Sequence, residues 1–136
     1  MQYYLDTNII LFSLTSDSEI SNDVREILND YSNVLYTSSV CVMEAVHILQ
    51  TKPLNKKMQD PTRIFEYLDF MGVNIKYVTK SHIDKFIEMP VLHTDPNDRL
   101  IIAQAISDKI TLISSDTKFP LYAKALKDFK FVLNKR

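Results

Sequence analysis

Short apolar runs alternate with segments of helical period along the whole chain, and this alternation narrows the folds open to it. Tyr3-Tyr4-Leu5, Val34-Leu35-Tyr36-Thr37, Val73 to Val78, Thr111-Leu112-Ile113 and Phe129 to Leu133 read as strands. Ser21 to Tyr31 carries Val24, Ile27, Leu28 and Tyr31 at helical spacing. Ser38 or Ser39 can cap a helix that reaches Leu49 or Gln50. Asp60-Pro61 reads as a helix start and Gly72 as the cap that ends it. Thr79 caps a short helix through Glu88. Asp95-Pro96 opens a helix whose stretch from Leu100 to Ile106 is apolar nearly all round, which predicts a central position. Strands alternating with helices pair in parallel through right-handed crossovers. The expected fold class is α/β, a parallel β-sheet flanked by helices on both faces, in a single domain over residues 1–136.

Composition removes several function classes. One glycine, Gly72, excludes phosphate loops and dinucleotide fingerprints, which need several glycines for close backbone approach. One cysteine, Cys41, cannot form an internal disulfide and fits a reducing, cytoplasmic setting. No apolar run approaches the roughly 20 residues of a membrane span, and the start of the chain lacks the pattern of a signal peptide. The formal net charge of −1 hides an asymmetry. Residues 1–50 hold seven acids and one base, whereas residues 51–136 hold fifteen bases and ten acids. A near-neutral total argues against wholesale electrostatic binding of nucleic acid, yet leaves room for a local basic edge near the C-terminus. The plainer reading of that edge is a solvated lysine face on a C-terminal helix.

The acids are placed less evenly than chance would put them. Asp6 and Asp116 each follow an apolar strand, so both belong at the carboxyl edge of a parallel sheet, where such folds bind ligands. Glu44 interrupts an otherwise apolar helix, and Asp98 sits in the first turn of the apolar central helix. Each has a plain explanation: a turn at Asp6 with Asn8 capping the next helix, an exposed stripe for Glu44, a favourable dipole position for Asp98, a turn at Asp116. Asp95 is accounted for as a cap ahead of Pro96, with a ligand role as its second reading. The plain explanations cover the acids singly but not jointly. Two carboxylates 4 Å apart repel by about 4 kcal/mol at an effective dielectric of 20. If Asp6, Glu44, Asp98 and Asp116 converge, some stay protonated or a divalent cation lies among them. All-oxygen ligands favour Mg²⁺ or Mn²⁺ over zinc. Such ions activate water and stabilise a leaving oxygen, chemistry suited to phosphodiester hydrolysis without a protein nucleophile.

The pieces Leu5-Asp6-Thr7-Asn8-Ile9-Ile10, Ser38 to Glu44, His93-Thr94-Asp95-Pro96-Asn97-Asp98 through Ala105, and Ile113-Ser114-Ser115-Asp116, taken in order, resemble a PIN-domain protein. The chain length resembles the single-domain VapC-type toxins of bacterial VapBC pairs. The resemblance implies a Mg²⁺- or Mn²⁺-dependent endoribonuclease acting on RNA, a cognate antitoxin as partner, and a homodimer. On it, Asp6, Glu44, Asp98 and Asp116 form the acidic quartet that holds metal. Thr7, Asn8 and Ser115 orient carboxylates or the attacking water, and Asp95 is a possible extra ligand. Asn97 stands where the subgroup with a histidine before its Asp-Pro carries an aromatic, which changes the pocket rim. The helical segment from Thr51 to Met71 varies most in such proteins, and its Lys52, Lys56, Lys57 and Arg63 are guesses for RNA or partner contacts.

Other reactive residues earn less weight. Cys41 reads as an apolar filler, and His47 and His82 as ordinary surface or core residues. His93 could protonate a leaving group, but a structural role suffices. Two further functions compete with the nuclease. A degenerate PIN-like scaffold would bind RNA or protein without cutting, but has no use for four costly acids. An aspartyl-phosphate enzyme also places acids at strand ends. Its phosphatase form wants Asp-x-Asp where position 8 is Asn, and its receiver form wants a lysine that Lys118 supplies poorly.

Overall fold

The computed structural model describes residues 1–52 and 60–136. Lys56 and Lys57 fall outside the described residues. Five strands form one sheet: β1 (Gln2–Leu5), β2 (Val34–Ser38), β3 (Val73–Lys76), β4 (Thr111–Ser114) and β5 (Phe131–Leu133). Their order across the sheet is β3-β2-β1-β4-β5, and every pairing is parallel. Among the described residues, seven α-helices accompany them: α1 (Thr7–Thr15), α2 (Asn22–Asn29), α3 (Ser39–Thr51), α4 (Ile64–Met71), α5 (Lys80–Glu88), α6 (Pro96–Asp108) and α7 (Phe119–Ala125).

Side-chain alternation along the strands divides the core in two. Tyr3, Leu5, Leu35, Val73 and Ile113 face one side, where they meet Ile9 and Ile10 of α1, Val24 of α2, Ala45 and Leu49 of α3, and Ile64 and Leu68 of α4. Tyr4 and Leu112 face the other, against Ile101, Ile102, Ala105 and Ile106 of α6, Phe119 and Tyr122 of α7, and Phe129. Both faces are thus covered, as a parallel sheet requires. The apolar stretch of α6 is buried from Ile101 through Ile106. No helix among the described residues is long and apolar enough to cross a membrane.

Local chemistry sets the boundaries. Ser38 is the cap of α3, accepting from the Val40 N–H, and Asp95 caps α6 by accepting from Asn97 and Asp98 N–H. Thr79 opens α5, and its N–H donates to His82 Nδ1. Gly72 ends α4 at φ +73°, a left-handed backbone position where a Cβ is penalised. Gly72→Ala is therefore expected to lower stability by about 1 kcal/mol, read as a shifted denaturant midpoint with unchanged slope. An unchanged midpoint would show that the α4–β3 junction relaxes freely.

Three expectations need correcting. The alternative of a turn at Asp6 followed by a cap at Asn8 does not hold. Asp6 caps α1 through its own carboxylate, and Asn8 lies inside that helix rather than capping it. The C-terminal helix, read without bounds, is the short α7 that begins at Phe119-Pro120. The third and fifth strands are shorter than read, at Val73–Lys76 and Phe131–Leu133.

Candidate metal centre

Asp6 follows β1 directly, so the sheet delivers it to the carboxyl edge at the centre of the strand order. It is only 4% exposed. Its Oδ1 accepts from the Thr7 N–H at 2.8 Å and lies 3.8 Å from Cys41 Sγ; its Oδ2 accepts from Ser114 Oγ at 2.6 Å and Asn8 Nδ2 at 3.4 Å. No ion pair reaches it among the described residues. Burial pushes its carboxyl up to about 6 from 3.8, and the charges of Asp98 and Asp116 add to the rise; hydrogen bonds from Ser114 and Thr7 oppose it.

Glu44 comes from the second turn of α3, half-buried. Burial and then the charges of Asp6 and Asp98 push it up to about 7, while the Thr7 hydroxyl, 3.3 Å from Oε1, opposes the rise. Asp98, in the first turn of α6, is raised by burial, by Asp95 and by Asp116. Arg99 gives no relief, because its guanidinium lies over the Phe86 ring, 4.3 Å from the centroid. Asp116 sits in the turn after β4, donating its N–H to Ser114 Oγ and accepting from the Lys118 N–H. The four acids named from the sequence thus share one electrostatic field at one sheet edge. Asp95 contributes to that field at Glu44 and Asp98, but its oxygen is spent on capping α6. Among the described residues no three acid, histidine or cysteine side chains stand in a ready-made metal-holding group. The fit to a hard cation rests on the donor chemistry, all carboxylate oxygen, and on negative charge that no lysine or arginine among the described residues pairs with.

The supporting residues differ from those read in sequence. Thr7 hydrogen-bonds Glu44, and Asn8 hydrogen-bonds both Asp6 and Ser114. Ser115 does not: its hydroxyl accepts from Asn134 Nδ2, and only its N–H touches the cluster, through Asn8 Oδ1. The residue that holds Asp6 is Ser114, one position earlier, because β4 runs one residue further than its apolar run. Cys41 is buried in the apolar core, as read, with its Sγ beside Asp6, and burial pushes its thiol up. Ser114→Ala is expected to weaken Mg²⁺ or Mn²⁺ binding 10- to 100-fold, the usual cost of losing a ligand-orienting hydrogen bond. An unchanged affinity by calorimetry would remove Ser114 from the site.

His93 is tied to Asp98 by a network that fixes its tautomer. The Tyr122 hydroxyl accepts from the Leu92 and His93 backbone N–H groups, so its own proton goes to His93 Nδ1 at 2.9 Å. Nε2 then carries the ring proton and donates to Asp98 Oδ2 at 3.3 Å. His93 is a positioning residue for Asp98. Beside the cluster, Met43, Glu44, His47, Ile48 and Asn97 line an open cleft of about 410 Å³, which places Asn97 on the rim as its position implied.

The PIN domain family model matches residues 3–125. No curated protein matches the chain by sequence. The fold is similar to that of VapBC2 from Rickettsia felis, solved bound to a DNA fragment from its promoter (TM-score 0.71, 19% identity, covering 99% of this chain and 100% of the other). It is similar to VapBC-1 from nontypeable Haemophilus influenzae (TM-score 0.69, 20% identity, 100% of both chains). It is also similar to DNA-bound VapBC from Salmonella typhimurium (TM-score 0.72, 15% identity, 99% of both). With the matched sequence pattern and the parallel five-stranded sheet together, the chain belongs to the PIN-domain family.

Proposed function

We propose that this chain is a Mg²⁺- or Mn²⁺-dependent endoribonuclease and the toxin of a type II toxin–antitoxin pair. The observation that carries the reading is the shared field of Asp6, Glu44, Asp98 and Asp116, in which Asp6 is buried without a basic partner. Burying uncompensated carboxylates costs several kcal/mol, which a purely structural site has no reason to bear. Asp6, Glu44, Asp98 and Asp116 would hold the ion. When bound, a hard divalent ion lowers the pKa of attacking water and takes up charge on the leaving oxygen.

The chain's own residues do the positioning. Ser114 and Asn8 fix one oxygen of Asp6, and the Thr7 N–H fixes the other. Thr7 Oγ1 orients Glu44, and His93, itself locked by Tyr122, orients Asp98. Each hydrogen bond reduces the reorganisation needed when a phosphodiester arrives. The cleft beside Glu44 leaves room for the adjoining nucleotide. An antitoxin partner is supported by the similar structures, which are VapBC assemblies; a second copy of the chain completes the proposal and is read by light scattering. The decisive assay is cleavage of a structured RNA with Mg²⁺, with EDTA, and with Asp6→Asn. Cutting indifferent to both chelation and the substitution rejects the metal mechanism.

A further inference from the structure

The end of the molecule away from the acids carries the opposite charge. Lys85, Lys109, Lys127 and Lys130, with Ser107 and Asp128, line an open cavity of about 590 Å³ floored by Ile106. Lys109 precedes β4 and Lys130 precedes β5, so this cavity lies at the amino edge of the sheet. Lys85 is paired with Glu88 at 3.1 Å. Lys109, Lys127 and Lys130 have no carboxylate partner among the described residues, although Asp128 lies between them. Lys109 also adopts φ +57° at the end of α6, a left-handed position that Gly or Asn usually fills, and it is the only non-glycine residue of this kind among those described. A lysine is thus held, against local preference, at the rim of a basic cleft.

Helix α6 joins the two ends. Asp98 lies in its first turn and Lys109 at its final cap. Eleven residues at about 1.5 Å each separate them by roughly 16 Å, about the axial rise of five nucleotides at 3.4 Å. A polyanion approaching the acids is repelled there, and gains attraction only where cations face it. We infer that the Lys109–Lys127–Lys130 cleft is a second contact site for the phosphate backbone of a single-stranded RNA, remote from the acids and engaged only by substrates long enough to reach both. This rests on the nuclease reading for RNA as the ligand and for the acids as its first contact.

The test uses the full chain carrying Asp6→Asn, so that binding is read without cutting. Its affinity for a fluorescent single-stranded RNA of about 20 nucleotides and for a dinucleotide is measured by anisotropy across salt concentrations. Adding Lys109→Asn, Lys127→Gln and Lys130→Gln is expected to weaken the long RNA about 10-fold and to lower the salt slope by about 2, near 0.7 per lost phosphate contact. The dinucleotide should be unaffected, and arginine at all three positions should restore the long RNA. An unchanged affinity for the long RNA overturns the inference. So does equal weakening of the dinucleotide, failure of the arginine variant, or no measurable binding of the long RNA by the parent protein. Absence of RNA cleavage by the wild-type chain with Mg²⁺ or Mn²⁺, with this binding pattern intact, would reject the nuclease reading alone.

Discussion

Asp6→Asn is expected to lower RNA cleavage by about 10³-fold while raising the stability of the protein near neutral pH. The activity loss follows from removing a carboxylate at the centre of the acid field, where several kcal/mol of charge stabilisation is at stake and each 1.36 kcal/mol is tenfold in rate. The stability gain follows from the same burial. The Asp6 carboxyl stands at about 6 in the folded chain against an ordinary 3.8. A group raised by folding contributes its full stability below the unfolded value and loses it as pH climbs through the folded value. Stability should therefore fall between pH about 4 and pH about 6–7, by about 3 kcal/mol from Asp6 alone, and Glu44, raised to about 7, extends the decline upward. Asn keeps an oxygen for the Thr7 N–H and abolishes the Asp6 share of this dependence. Chemical denaturation from pH 4 to pH 8, with cleavage measured on the same samples, checks both signs. A variant that loses activity and stability together would mean that Asp6 serves the fold alone.

Mg²⁺ or Mn²⁺ at one hundred times its dissociation constant should stabilise the protein by about 2.7 kcal/mol, roughly 10 °C in melting temperature for a chain of this size. The shift should be large at pH 8, where Asp6 and Glu44 must ionise in the fold, and small at pH 5, where protons compete for the same oxygens. It should shrink sharply in Asp6→Asn. EDTA should abolish cleavage and leave the fold intact. A melting temperature indifferent to both ions at pH 8 would remove the metal centre, whatever the cleavage assay shows.

Much of the frame was legible in the sequence, for reasons that can be named. Ser38, Gly72 and Asp95 mark helix ends because their preferences are local. The all-apolar stretch of α6 announced its burial, and the carboxyl-edge rule placed Asp6 and Asp116 together without coordinates. What escaped depends on contacts far apart in the chain. Helix α1 is apolar on nearly all sides, with Ile9, Ile10 and Leu11 all buried, so its period gives little signal. Helix α7 spans under two turns. Ser114 and Ser115 look alike in sequence, and only the register of β4 against β1 decides which one meets Asp6. His82 carries no local mark of burial; its Nε2 pairs with Asp108 at 2.9 Å, beside the buried Tyr4.

The hydrogen bond between Ser114 and Asp6 spans 108 positions of the chain. On a ribosome adding roughly 5–20 residues each second, the first of these partners waits about 5–20 s for the other to be made. Strand β1 cannot pair with β4 any sooner, because its neighbour does not yet exist. A nascent or prematurely terminated product holds Asp6 and Glu44 but no finished acidic centre. The acid field is thus assembled only once β4 has been made and has paired with β1.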